Sequence, residues 1–265
     1  MRISVTAPKG KMGSLILQSA IERNTITIAA ALAPSGRPYL GQDAGLVCGL
    51  GASIGTLITD DWNEALQNTD ILIDFSTVET GRFALNKALE YRIPLICGTT
   101  GFSPEDHAAF RSAAQSIPIM PAANTSRVIH LMSRLLKLSA SELGSKADIE
   151  LIEMHDRNKL DSPSGTSKEL GHAICEGLGQ NWESSVVFGR HGHGARKTGE
   201  LGYHSIRSGD ISSSHTVLFG LTGERLEITH HAHNWRCFAE GALDCAEFLV
   251  GKAPGLYTVE NAFRR

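Results

Sequence analysis

From residue 1 to about residue 122 the sequence keeps one rhythm, in which short apolar runs alternate with amphipathic stretches. Ile3-Thr6, Ile26-Leu32, Ile71-Phe75, Pro94-Cys97 and Ile117-Met120 read as strands, and Met12-Ile21, Val78-Glu90 and Pro104-Ser116 read as the helices between them. Strands joined in this way form a parallel sheet covered on both faces. A helix over Arg127-Leu143 ends the series. Ala147-Met154, Ser185-Gly189, Gly202-Arg207, His215-Phe219 and Arg225-His231 then follow with few helices between them, which predicts a mostly antiparallel second sheet. Helix Phe238-Val250 is left over from that sheet and is assigned to the first domain. The expected fold class is therefore α/β, with a dinucleotide-binding domain over residues 1–125 completed by 236–265. A smaller substrate-binding and oligomerisation domain is expected over 126–235.

The 265 residues suit one or two domains, and 42% apolar content supports a buried core. Lys and Arg number 25 against 28 Asp and Glu, a formal charge of -3 without a long basic run, so neither nucleic acid nor an anionic membrane is the expected partner. No apolar window is long enough to span a bilayer, and Met1-Arg2-Ile3-Ser4-Val5 lacks the pattern of a secretion signal, so the expected location is cytoplasmic. The five cysteines are odd in number, scattered and without a CxxC pair, and read as ordinary buried thiols.

Directly after the first strand stands Val5-Thr6-Ala7-Pro8-Lys9-Gly10-Lys11-Met12-Gly13, and a helix follows. Such a turn presents backbone N–H groups and a helix N-terminus to a pyrophosphate. The spacing of Gly10 and Gly13 fits, but Ala7 stands where the first glycine of the fingerprint belongs, and alone the loop is compatible with a plain strand-to-helix turn. The second strand ends Ala31-Leu32-Ala33-Pro34, with no carboxylate to hold the ribose hydroxyls of NADH. Lys9, Lys11, Ser35 and Arg37 are instead available to a 2′-phosphate, which favours NADPH with NADH as the alternative. Lys9 and Lys11 also fit solvated loop charges.

The second segment, Glu153 to Glu169, leaves a strand and enters a helix that repeats Leu170, Ile174 and Leu178. Thr166 and Glu169 have the spacing of a capping box, so the helix is expected to start near Thr166. Its first N–H groups, beside Gly165 and the Thr166 hydroxyl, suit a carboxylate. His155 can transfer a proton near neutral pH, and Lys159 can meet a carboxylate or developing negative charge. His155 equally fits a structural histidine, and the SPSGTS stretch a cap alone.

His155-x-x-x-Lys159-x-Asp161-x-Pro163-Ser164-Gly165-Thr166 resembles the signature of the dihydrodipicolinate reductases, which reduce 4-hydroxy-tetrahydrodipicolinate in lysine and diaminopimelate biosynthesis. The resemblance extends through Gly10-Lys11-Met12-Gly13, Ile73-Asp74-Phe75-Ser76, Gly98-Thr99-Thr100-Gly101-Phe102 and Ala122-Ala123-Asn124. It continues in Arg207-Ser208-Gly209-Asp210-Ile211, His215-Thr216 and Gly223 to His230. It implies a Rossmann-like domain completed by the C-terminal helix, and a mixed α/β domain whose largely antiparallel sheet builds a homotetramer. The implied substrate is a cyclic imine bearing two carboxylates, which closes between the domains. By position His155 matches the family's proton donor, Lys159 its partner and Gly165-Thr166 its carboxylate clamp. Gly98, Thr99, Thr100, Ala122, Ala123, Asn124 and Thr125 match its nicotinamide-side contacts.

Four positions depart from the family pattern. Asp156 replaces a second histidine that contacts a substrate carboxylate, Arg127 replaces an apolar residue and adds a cation, and Ala7 and Ala33 are the other two. Arg127 is the candidate to restore the positive charge lost at Asp156. Two rival readings follow: a reductase of the same family acting on another cyclic imine, and a cofactor-binding relative without turnover. His191 and His193 lack a carboxylate or cysteine at ligand spacing, so no metal site is assigned. His230, His231 and His233 fit either a cluster near the site or a solvated edge.

Overall fold

The structure, a computed structural model, describes residues 1–264. Residues Met1–Ser126, together with those from Trp235 onward, form one compact unit, and Arg127–Asn234 form a second. In the first unit β1 (Arg2–Thr6), α1 (Lys11–Ile21) and β2 (Thr27–Leu32) lead into α2 (Ala44–Val47), β3 (Ile58–Thr59) and α3 (Trp62–Leu66). The series continues with β4 (Ile71–Asp74), α4 (Val78–Tyr91), β5 (Leu95–Cys97), α5 (Pro104–Ala113) and β6 (Pro118–Pro121). The second unit holds α6 (Arg127–Leu143), β7 (Asp148–His155), α7 (Gly165–Leu178), α8 (Trp182–Ser185), β8 (Val186–Phe188), β9 (Leu201–Arg207), β10 (Ser213–Leu221) and β11 (Glu224–Ala232). The chain then returns to the first unit through α9 (Arg236–Leu249), β12 (Gly255–Leu256) and α10 (Val259–Phe263).

The first sheet is wholly parallel, in the order β12-β6-β5-β4-β1-β2-β3. Every residue of β4 is buried, as a strand covered on both faces requires. Strand order reverses between β1 and β4, and ligands of open α/β sheets bind beyond the strand ends at such a reversal. Helix α9 seals the core beneath: a Cβ on Gly241 would lie 1.7 Å from the Thr125 carbonyl, so only glycine lets the helix approach. Arg23 ties it to α1 through Glu240 at 2.6 Å and Asp244 at 3.0 Å. Among the described residues no helix is long and apolar enough to cross a membrane.

The second sheet, β11-β10-β7-β9-β8, is mixed. Its two longest ladders, β10 with β11 and with β7, are antiparallel, while β7 with β9 and β9 with β8 run parallel. The largely antiparallel expectation holds, with a parallel part added at one side. Its cause is α7, whose passage from β7 to β8 makes the long crossover that parallel strands require. The N-cap of α7 is corrected: Ser164, whose hydroxyl accepts the Ser167 N–H, caps a helix beginning at Gly165, so Thr166 and Glu169 form no capping box. Helices α6 and α7 run in parallel, since His130 meets Glu169, Lys137 meets Glu176, and Gly177 sits on Lys137 and Ala140.

Candidate active site

At the strand-order reversal, Asp74 ends β4 completely buried and gathers hydroxyls from three segments. Thr6 Oγ1 donates to it at 2.7 Å, Ser76 Oγ at 2.5 Å and Thr99 Oγ1 at 2.7 Å. This ties the loop after β1 to the loops after β4 and β5. Ala7 adopts φ 48°, a left-handed conformation that a glycine takes more easily, and its carbonyl accepts the Gly10 N–H at 2.8 Å. A Cβ on Gly13 would stand 2.2 Å from that same carbonyl, so the helix start has room only for glycine. A cavity of about 540 Å³ opens over this turn, lined by Ala7, Lys9, Gly10, Arg37, Phe75 and Ser76 among others. A neighbouring cavity is lined by Ala33, Ser35 and Arg37, with Asp60, Trp62 and Glu79. A third, of about 230 Å³, is lined by Cys97, Thr99, Thr100, Ala122 and Ala123. The glycine-limited turn and these cavities fit a dinucleotide along the ends of β1, β4 and β5.

The second unit carries a different assembly at one end of its sheet. Alternate residues of a strand share a face, so Ile149, Leu151, Glu153 and His155 of β7 form one row, and the row turns from apolar to charged halfway along. Its partners turn polar at the same level: His215 of β10 lies opposite Glu153, His230 of β11 opposite His215, and Arg207 of β9 opposite His155. Glu153 is fully buried. It accepts hydrogen bonds from Arg207 Nη2 at 2.9 Å, Ser167 Oγ at 2.8 Å and the Ser164 N–H at 3.2 Å, and lies 3.3 Å from His155 Nδ1. Burial opposes its ionisation, but His155, Ser164, Ser205 and Arg207 outweigh it and hold the carboxyl far below the usual range. His215 is 1% exposed with neither ring nitrogen hydrogen-bonded to protein. Burial, aided by the neighbouring His155 and His230, lowers it to about 3, so it is neutral. Donor atoms of Glu153, His155 and His215 lie within 4.8 Å of one another, but Arg207 already occupies Glu153 and repels a second cation.

Around this layer stand the candidate anion-binding groups. Lys159 Nζ pairs with Asp161 Oδ1 at 2.7 Å, and Asp161 is 57% exposed, so the pair is weak and exchangeable. Gly165 and Thr166 open α7, and Gly165 is exposed, with nothing within 4 Å of a Cβ built there. Arg127 opens α6, one turn before His130, while Gly165-Thr166 precede Glu169 by one turn. Because the helices are parallel, Arg127 stands at the same end as the N-terminus of α7. Asp156 is absorbed locally, its Oδ1 accepting the Asn158 N–H at 2.8 Å.

The sequence models of dihydrodipicolinate reductase match both parts of the chain, the N-terminal model over residues 1–125 and the C-terminal model over 128–263. The chain belongs to the dihydrodipicolinate reductase family. Curated 4-hydroxy-tetrahydrodipicolinate reductases from Syntrophotalea carbinolica and Nitrosomonas europaea are each 39% identical over 262 residues, covering 98% of this chain and 98% and 97% of theirs. A solved dipicolinate-bound dihydrodipicolinate reductase from Paenisporosarcina sp. TG-14 shares the fold, with a TM-score of 0.75, 22% identity and 98% coverage of each chain.

Within this chain the sequence-derived residues divide by position. His155, Lys159, Gly165, Thr166 and Asp156 come together around the end of β7, with Arg127 at the neighbouring helix start. Ala7, Lys9, Gly10 and Arg37 share one cavity, and Thr99, Thr100, Ala122 and Ala123 share another. Lys11 extends instead to Trp235, its Nζ 3.7 Å from the ring centroid, and does not line the cavity of Lys9. Thr125 is turned inward, its hydroxyl bonded to the Phe238 carbonyl at 2.6 Å, and the Asn124 side chain accepts the Ser126 N–H. Gly98 lies under Phe75, where a Cβ would be 1.9 Å from the ring. Sequence reasoning assigned no role to Asp74, Glu153, Arg207 or Ser213. Glu153 had a readable signal, since a residue two before His155 on a strand must share its face.

Proposed function

We propose that this chain reduces the cyclic imine derived from 4-hydroxy-tetrahydrodipicolinate to tetrahydrodipicolinate, with NADPH preferred to NADH. The observation that carries the reading is His155, a buried proton donor backed by a buried carboxylate and ringed by Lys159, the α7 N-terminus and Arg127. The nicotinamide supplies a hydride, and the chain's own residues do the rest. Reduction leaves negative charge on the conjugated C=C–C=N unit, and His155 quenches it with a proton. Lys159 exchanges Asp161 for a substrate carboxylate, and the Gly165 and Thr166 N–H groups hold a carboxylate at the positive end of α7. Arg127 supplies charge at the same helix end, which compensates for Asp156.

The cofactor preference is supported by Lys9 and Arg37 in one cavity and by the absence of a carboxylate at Ala33. The family's homotetramer is part of the same reading. It is supported by the sheet face away from α6 and α7, where Ile206 is 41% exposed and Ile152, Met154 and Leu218 are half-buried. A cytoplasmic location follows from a soluble biosynthetic role. In a steady-state assay with freshly generated substrate, NADPH oxidation is expected to be robust and kcat/KM for NADPH to exceed that for NADH by about tenfold. Arg37→Ala should remove most of that preference while leaving the NADH value within about twofold. Equal use of both cofactors by the unaltered chain would contradict the assignment of Lys9 and Arg37.

A further inference from the structure

His155 presents two ring nitrogens, and the fold gives each a neighbour. Nδ1 lies 3.3 Å from Glu153 Oε2, within ion-pair range but without hydrogen-bond geometry, and Nε2 is hydrogen-bonded to Ser213 Oγ at 3.2 Å. Glu153 cannot swing away, because Ser164, Ser167 and Arg207 hold it from other directions. A fixed carboxylate beside Nδ1 favours, by its charge, the tautomer with the proton on that nitrogen, which leaves Nε2 facing Ser213. His215 packs edge-on against the same ring, centroids 5.5 Å apart, and being neutral places no charge beside it. The His155 side chain is only 8% exposed, whereas Ser213, at the first position of β10, is half-buried. A proton leaving Nε2 therefore meets the Ser213 oxygen first.

We propose that Ser213 is a catalytic residue: the proton of His155 reaches the substrate through the Ser213 hydroxyl, with Glu153, His155 and Ser213 acting as one relay. The proposal rests on the reductase reading given above. As the Nε2–H bond of the imidazolium breaks, a new O–H bond forms on Ser213, and the hydroxyl's original proton passes to the electron-rich carbon framework of the reduced substrate. Serine ends unchanged. His155 ends neutral with its remaining proton toward Glu153, and water reprotonates it between turnovers. Geometry of this order, carboxylate to Nδ1 and Nε2 to hydroxyl, is a general device for directing proton transfer.

Ser213→Ala and Ser213→Thr test the relay. Removing the hydroxyl should lower kcat about tenfold with both KM values within about twofold, and threonine, which restores the oxygen, should recover most of the loss. In mixtures of light and heavy water the unaltered enzyme should show a curved dependence of kcat on deuterium content, the mark of two protons in motion, and Ser213→Ala a linear one. An unchanged kcat in Ser213→Ala, with the same dependence as the parent, overturns the relay and leaves the reductase reading standing. If the unaltered chain fails to reduce the imine, that reading falls first. The Ser213 contact is then read without turnover, from the rate at which diethylpyrocarbonate modifies His155, mapped by peptide mass. That rate should rise several-fold in Ser213→Ala, and an equal rate in both proteins overturns the contact as well.

Discussion

His155→Ala is expected to lower kcat by about 10²-fold or more while leaving KM for cofactor and imine nearly unchanged. On the proposed reading the carboxylate contacts come from Lys159, the α7 terminus and Arg127, none of which the substitution removes, so binding should survive while the proton does not. Truncation also leaves Glu153 facing an emptied space beside Arg207. His155→Gln, which keeps a hydrogen-bonding side chain of similar reach without a titratable proton, should fall by as much and separates lost chemistry from lost packing. A kcat within about threefold of the parent in both variants would remove His155 from the reaction.

The second large effect concerns acid stability. His215 titrates near 6.5 when solvated and at about 3 in the fold, so below pH 6.5 the unfolded chain takes up a proton that the folded chain refuses. Its contribution is present in full above pH 6.5 and is lost as pH falls toward 3. Over the first two pH units this amounts to about 2 to 3 kcal/mol, since each unit of displaced titration corresponds to about 1.4 kcal/mol. Glu153, with its carboxyl held below the ordinary 4.5, adds a loss of the same sign that begins only below that value. His215→Leu should therefore flatten the fall in unfolding free energy between pH 6.5 and 4.5, measured by chemical denaturation at fixed pH. Because neither ring nitrogen bonds to protein, an apolar replacement gives up no hydrogen bond and should be tolerated near neutral pH. Parallel curves for parent and variant would mean that His215 is charged or solvated in the fold.

What could be read from the sequence follows from what each signal is made of. The central strands β4 and β5 are buried on both faces and therefore carry the apolar runs Ile71-Leu72-Ile73 and Leu95-Ile96-Cys97, and α6 falls at Arg127–Leu143 as its periodicity predicts. Two-residue strands such as β3 and β12, and the four-residue α2, carry too few residues to show a period. The parallel ladders of the second sheet were hidden because pairing direction is set by the α7 crossover and leaves little mark on the strands themselves. In the site, His155 and Lys159 stand out by residue type and by the motif around them. Ser213 does not, because nothing in Ile211-Ser212-Ser213-Ser214-His215 shows which of three serines will meet Nε2 across 58 positions of chain. Asp156 looked like a repulsive departure by residue type alone, whereas its carboxylate is engaged by the Asn158 N–H, and only the parallel packing of α6 on α7 reveals where Arg127 stands.

The reduction itself is most directly tested by a single turnover with NADPH carrying deuterium at the transferable position, mixed with enzyme and freshly generated 4-hydroxy-tetrahydrodipicolinate, followed by mass analysis of the product. The expected result is tetrahydrodipicolinate with one deuterium, formed by the parent chain and lost by about 10²-fold or more in rate in His155→Ala. Cofactor that stays reduced beside unlabelled starting material would contradict the assignment of this substrate to the chain.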